Sequence, residues 1–161
     1  MEQIMEPPRT RVFIRQPEKK IIGQKIEDIV GAIIDRTIEP VMISDDFDKE
    51  TFNIAFEIKG CRMFNNFKCR GKSTDSKGKF IIPVVQLEEF LDKCKRKGKI
   101  GVYWFVLYFD EPSAGNMVHC WINAEDMKGL IGKRKGNTSI YWDWVFRKGL
   151  PIQRLQNFSN M

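Results

Sequence analysis

The chain has 161 residues, of which 42% are hydrophobic and 30% charged, a composition typical of one folded domain rather than of a disordered segment. Its formal net charge is +6 and its isoelectric point is about 9.2, which favours a polyanionic partner such as nucleic acid. No apolar run reaches membrane-spanning length and the first ten residues lack the pattern of a signal peptide. We therefore expect a soluble, cytoplasmic protein with no membrane partner.

The N-terminal third predicts an arm followed by a helix. Residues 1–16 are polar and contain prolines, so we expect an irregular arm before a single domain spanning 17–161. Pro17 suits the first position of a helix. Glu27 lies at the border of that helix's apolar stripe, where a carboxylate can face a neighbouring sheet. The stripe recurs at helical spacing and comprises Ile22, Ile26, Ile29, Val30 and Ile33.

The next stretch predicts a hairpin with an acidic turn. Its strands are expected at Val41–Ser44 and Phe52–Lys59, and the turn between them reads SDDFD. A period of two places Glu57 and Lys59 together on one side of the second strand. The opposite, apolar side comprises Phe52, Ile54, Phe56 and Ile58.

Antiparallel pairing in this hairpin can bring a carboxylate of the turn beside Glu57. Neighbouring residues of a strand face opposite sides, so only one of Asp45 and Asp46 can reach Glu57. Burial of Phe47 would place Asp46 on the Glu57 side, whereas Asp48 is expected to sit too far along the hairpin. We therefore favour Asp46, with Asp45 as the alternative.

The rest of the chain predicts a second helix between further strands. Residues 83–99 give an amphipathic helix that stops at Gly98, and 100–109 give a central strand buried on both faces. A strand is expected over 117–123, then a short helix started by Asn123, then a last strand within 138–146. The inward side of the second helix comprises Val84, Leu87, Phe90, Leu91 and Cys94. The fold class is therefore α/β, a mixed sheet flanked by helices.

Two aromatic residues suggest a contact between copies of the chain. Trp142 and Trp144 would share one face of the last strand, where they are candidates for a dimer interface.

The positive charge is concentrated in stretches between these elements. Such stretches are typical of phosphate-contacting loops, although solvated surface charge is the alternative. The residues expected to contact DNA are Lys68, Arg70, Lys72, Lys77, Lys79, Lys133, Arg134 and Lys135. The four cysteines form no CxxC pair, so we expect reduced thiols and no structural zinc.

Glu57 and Lys59 carry the chemistry in this interpretation. Two carboxylates and a backbone carbonyl, for which that of Ile58 is the natural candidate, suit Mg²⁺ because this ion prefers oxygen ligands and keeps several waters. Such an ion orients a phosphate and acidifies water, and a neighbouring lysine can orient or deprotonate that water. The alternative is a half-exposed strand whose outer face carries a salt bridge.

These residues and the order of the elements resemble the PD-(D/E)xK nuclease superfamily, whose core is αβββαβ. The stretches GQKIEDIV and IPVVQLEEFLDKCKRKGKIGVYWFVLYF are similar to the first helix, and to the second helix and following strand, of archaeal-type Holliday junction resolvases. The likeness covers about residues 21–123. It implies Glu57 as a metal ligand, Lys59 as the water-orienting base and Glu27 as the helix glutamate.

The same resemblance places the family aspartate at Asp45 or Asp46 and, more weakly, a helix glutamine at Gln86. It implies a restriction-endonuclease-like core and a Mg²⁺-dependent endodeoxyribonuclease that cleaves branched DNA in recombination or repair, with Mn²⁺ as a substitute ion. A homodimer would let two sites cut symmetric strands. The alternatives are a restriction-like or repair nuclease on duplex or nicked DNA, and a non-catalytic nucleic-acid-binding protein.

Overall fold

The computed structural model describes residues 7–62, 78–108, 112–113, 115–131, 135–152 and 154–155, with side chains from residue 21 onward. In chain order the helices and strands are α1 (Pro7–Thr37), β1 (Lys49–Glu50), β2 (Ile54–Arg62), β3 (Lys79–Pro83), α2 (Val84–Lys97), β4 (Ile100–Tyr108), β5 (Met117–Asn123), α3 (Ala124–Ile131), β6 (Asn137–Tyr141) and α4 (Trp142–Lys148). No helix within these ranges is both long enough and apolar enough to cross a bilayer.

The strands form two separate sheets. The larger has the order β1-β2-β4-β5, in which β2 and β4 run parallel while β1–β2 and β4–β5 are antiparallel. This confirms the predicted α/β fold with a mixed sheet. β3 pairs antiparallel with β6 in a two-stranded sheet of its own, which the sequence did not predict.

The two faces of the larger sheet bury different cores. On one face, Phe56 and Trp104 pack beneath the buried side of α1. On the other face, Tyr103 and Phe105 pack with Phe90 of α2. β4 is buried from Val102 to Tyr108, which confirms its prediction as the central strand. The arrangement follows from β-strand alternation, because successive side chains point to opposite faces.

α2 and α3 also match their predictions. Leu87, Phe90 and Cys94 are buried on α2, and Gly98 ends the helix in the left-handed conformation with φ 69°. Glycine adopts this conformation at little steric cost, so it is well suited to the stop. At the start of α3, the Glu125 N–H donates to the Asn123 side-chain oxygen at 2.9 Å, which caps the helix as expected.

Three expected elements differ in the structure. α1 begins at Pro7, so the expected irregular arm is helical from that residue, where proline suits the first position of a helix. Pro17, which was expected to open the helix, lies inside α1 instead. The expected strand Val41–Ser44 is reduced to an isolated bridge between Met42 and Glu50.

The last expected strand ends at Tyr141 and continues as helix α4, which contains both tryptophans. Asp143 in its first turn and Arg147 in its last turn both suit the helix dipole. Trp142 is buried and Trp144 is partly buried against the same core, so the expected shared strand face does not form. Two residues apart on a helix do not face the same way.

A buried ion pair fastens the β1–β2 turn to the start of β4. Lys99 Nζ lies 2.7 Å from Glu50 Oε1 and donates to the Thr51 carbonyl at 2.6 Å. The Ile100 N–H donates to the Asn53 carbonyl at 2.9 Å. Burial raises the pKa of Glu50, but the hydrogen bonds from Lys99 and Ser44 and the charge of Lys99 together outweigh this and leave the pKa below its usual value.

We predict that Lys99→Met lowers the free energy of unfolding at pH 7 by about 3 kcal/mol, because it leaves the Glu50 carboxylate buried without its partner. The double variant Glu50→Gln/Lys99→Met should recover at least half of that loss, and urea denaturation measures both. Since the pKa of Glu50 is depressed, the loss should shrink as the pH falls through that lowered pKa. Equal losses in the single and double variants would contradict the assignment.

Candidate active site

Glu57 and Lys59 lie side by side within the nine registered pairs that join β2 to β4. Both project from β2, and Lys59 Nζ lies 3.7 Å from Glu57 Oε2. Their side chains are 23% and 20% exposed, respectively, so neither is a freely solvated surface group. The predicted pairing of these two residues on one face is confirmed. The same alternation buries Phe56 and Ile58 on the opposite face.

Asp48 supplies the second carboxylate beside Glu57. The Ile58 N–H donates to Asp48 Oδ2 at 2.9 Å. β1 begins at the next residue, Lys49, which pairs with Phe56. The Asp48 side chain thus accepts the hydrogen bond that a continued strand would have accepted with its backbone.

Asp46, which the sequence analysis favoured, lies elsewhere. Its Oδ2 is 2.8 Å from Lys97 Nζ at the end of α2, and Asp45 is exposed. Phe47 is buried as expected. Asp46 does not share a strand face with Glu57 as expected, because the chain before Lys49 is bent rather than extended. The Ser44 hydroxyl accepts the N–H groups of Asp46 and Phe47, a local pattern that competes with strand pairing.

Glu27 of α1 joins this carboxylate group from the helix side. It is half-buried beside the buried Ile26, at the border of the stripe, as expected. Burial raises its pKa, and the charge of Asp48 raises it further, against the opposing charge of Lys49. The charge of Asp48 therefore raises the pKa of both glutamates, Glu27 and Glu57.

The pKa of Glu57 is raised to about 7. Burial is the main cause, the charge of Asp48 adds to it, Lys59 opposes it and Glu27 contributes least. Burial also raises the pKa of Asp48, partly offset by its hydrogen bond from Ile58 and by the charges of Lys59 and Lys49. Partly buried carboxylates that disfavour one another's ionised forms gain stability when a cation joins them.

The donors fit a hard cation with an incomplete protein shell. Among the described residues, no group of three or more His, Cys, Asp or Glu side chains is arranged to hold a metal ion. Mg²⁺ is commonly held by one or two carboxylates together with waters and substrate phosphate, and Asp48 with Glu57 is such a pair. The N–H and carbonyl of one strand residue point to the same side, so the Ile58 carbonyl also faces the edge where Asp48 lies.

Tyr103 is a neighbour of the site that the sequence did not reveal. It is the registered partner of Glu57 across the parallel β2–β4 pair, so both side chains project from the same face. Tyr103 is fully buried, and its hydroxyl has no hydrogen-bond partner among the described residues. Burial raises the pKa of Tyr103 well above its usual value, and the charges of Glu57 and Asp48 add to the increase. An aromatic residue inside a buried strand gives no sequence signal beyond core packing.

Of the residues expected to contact DNA, Lys79 and Lys135 are described, and both are exposed. Gln86 is exposed on α2, with no described contact to Glu57. Six of the expected contacts lie outside the described residues, namely Lys68, Arg70, Lys72, Lys77, Lys133 and Arg134.

No protein-family model matches this chain, and no curated protein matches it.

We predict that Glu57→Gln stabilises the metal-free protein at pH 8, by about 2 kcal/mol in urea denaturation with EDTA present. The folded pKa of about 7 lies above the unfolded value of 4.5, so ionisation of Glu57 costs stability as the pH rises between them. The gain should therefore shrink as the pH falls from 8 to 4. Glu88→Gln, on the exposed side of α2, is the matched control and should change little. A gain independent of pH would show that the Glu57 carboxylate is not the cause.

Proposed function

We propose that this chain is a Mg²⁺-dependent endodeoxyribonuclease that cleaves branched DNA and has a restriction-endonuclease-like core. The observation that carries the proposal is the pairing of Asp48 with Glu57 beside Lys59, at an open edge of β2. Glu27 joins them from the first helix. This is the set of residue types that the PD-(D/E)xK resemblance implies, with Asp48 in place of Asp46.

The order of elements supports the same core. From α1 to β4 the chain runs helix, three strands, helix, strand, which is the αβββαβ order. α2 connects β2 to β4 within the parallel part of the sheet, by way of β3. β3 departs from a continuous sheet by pairing with β6, so the proposal rests on the carboxylate pair more than on the topology.

Each residue of the site would have a separate role in the proposed reaction. Asp48, Glu57 and the Ile58 carbonyl would hold the ion, which when bound would offset charge on the scissile phosphate and lower the pKa of a coordinated water. Lys59, half-buried beside Glu57, can orient the attacking water. Glu27, whose charge interacts with those of Asp48 and Glu57, would keep the local charge negative.

Both carboxylates must be ionised to bind the cation, so ion binding releases protons from this site. Because the pKa of Glu57 is about 7, the apparent affinity for Mg²⁺ should rise as the pH increases through that value. Cleavage of both strands at a symmetric junction would need two such sites, and a two-fold homodimer is the simplest way to provide them.

The first test is cleavage of labelled four-way junction, nicked duplex, linear duplex and single strands, with Mg²⁺ or with EDTA. Asp48→Asn and Glu57→Gln should each reduce Mg²⁺-dependent cleavage at least 100-fold and leave DNA binding intact, because each removes an ion ligand. Asp46→Asn is the matched control and should retain most activity, since Asp46 pairs with Lys97 instead.

The substrates and controls separate the alternatives. Preference for linear or nicked duplex over the junction would favour the restriction-like or repair nuclease. DNA binding without cleavage under any metal condition would favour the non-catalytic binding protein. Full cleavage by Asp48→Asn would contradict the carboxylate assignment.

A second test concerns Tyr103, the registered neighbour of Glu57, whose hydroxyl we propose donates a hydrogen bond to the ionised Glu57 when the ion is bound. Tyr103→Phe should raise the Mg²⁺ concentration for half-maximal cleavage about 10-fold while leaving the maximal rate nearly unchanged, as expected for a residue that positions a ligand. Tyr108→Phe on the same strand is the matched control, because it lies five residues further along β4. An unchanged Mg²⁺ requirement in Tyr103→Phe would exclude this role.

A further inference from the structure

The two-stranded sheet of β3 and β6, here called the ribbon, presents an exposed face of mixed character. Alternation buries Phe80, Ile82, Thr138 and Ile140 against the core. The opposite face carries exposed side chains at Lys79, Ile81, Asn137, Ser139 and Tyr141. Ile81 is 59% exposed and Tyr141 is 49% exposed.

A lysine and an aromatic ring lie next to each other on the exposed face of the ribbon. Lys79 and Tyr141 are registered partners across the ribbon, and Lys79 Nζ lies 5.6 Å from the centre of the Tyr141 ring. A cation beside an exposed ring is a combination that suits a phosphate next to a stacked base or sugar. Ser139 and Asn137 add uncharged hydrogen-bonding groups along the same strand.

The net charge of the chain is concentrated in the sequence around the ribbon. Residues 68–87 and 132–142 together hold eight Lys and Arg but one Asp, a net charge of +7, whereas the whole chain carries +6. The ribbon strands themselves contain no acidic residue. The rest of the chain, taken together, carries a net charge of −1, the difference between +6 and +7.

The ribbon is attached close to the carboxylate site. The Cys61 thiol lies 3.6 Å from the Lys79 carbonyl, and Phe80 packs against Phe105 with ring centres 4.9 Å apart. Cys61 is two residues beyond Lys59 on β2, on the same side of the strand. At roughly 3.3 Å per residue, the Lys79 end of the ribbon starts about 7 Å along the strand from Lys59.

We propose that the exposed face of the ribbon is a DNA-binding surface that holds the strand flanking the scissile phosphate, with Lys79 on phosphate and Tyr141 stacked against a base or sugar. This inference rests on the proposed function for its choice of DNA, but it does not depend on cleavage. A sequence-tolerant contact of this kind suits recognition of DNA shape rather than of base sequence.

The test measures binding in EDTA to labelled junction and single-stranded DNA over a range of salt concentrations. Tyr141→Ala and Lys79→Ala should each weaken binding at least 5-fold, and Tyr141→Phe should retain it because the ring is kept. Lys79→Ala should also reduce the slope of log affinity against log salt by about one. The matched controls are Phe52→Ala, which removes another exposed ring, and Lys128→Ala on α3; both should bind like the unaltered protein.

The outcomes separate this inference from the proposed nuclease. Unaltered binding by both ribbon variants, in a protein that cleaves DNA, would overturn the ribbon surface alone. Ribbon-dependent binding without metal-dependent cleavage would support the surface and contradict the nuclease. Tighter ribbon-dependent binding to RNA of the same sequence would overturn the choice of DNA. Circular dichroism of each variant confirms that any loss is not due to unfolding.

Discussion

The parallel pairing of β2 with β4 is the constraint on which the site and both cores depend. Nine registered pairs run from Ile54–Ile100 to Arg62–Tyr108, and they fix which side chains share a face. A shift by one residue would move Glu57 beneath α1 and turn Phe56 toward the other core. The Lys99–Glu50 ion pair and the Ile100–Asn53 hydrogen bond hold the start of this pairing in register.

The unfavourable interaction between the carboxylates of Glu57 and Asp48 lies at the proposed active site. Two other carboxylates near the site each pair with a lysine, Asp46 with Lys97 and Glu50 with Lys99. Glu57 instead faces Asp48 across a partly buried edge, and one lysine does not offset both. The arrangement costs the metal-free protein stability, which is the usual situation at sites that bind a cation or carry out proton transfer.

Much of the larger sheet and its helices could be predicted from the sequence, because α2, β4 and β5 each have strong local patterns. The identity of the second carboxylate could not. It depends on the bend made by Ser44 and on the hydrogen bond that the Ile58 backbone N–H donates to the Asp48 carboxylate, and neither changes the apparent periodicity of the acidic stretch. The ribbon was missed because pairing between β3 and β6 is non-local, and neither short strand indicates its partner.

That non-local pairing has a consequence for how the protein folds. Residues 84–136 lie between the two ribbon strands, so closing the ribbon costs loop entropy that is offset only after the intervening helices and strands have packed. Closing the ribbon also involves Trp142. Its backbone N–H donates to the Gly78 carbonyl, and its ring fills the space next to the Gly78 Cα. The hairpin carrying Asp48 and Glu57 is local by comparison. Folding should therefore assemble the carboxylate pair before the surface proposed to retain DNA, and a partly folded chain would hold the former without the latter.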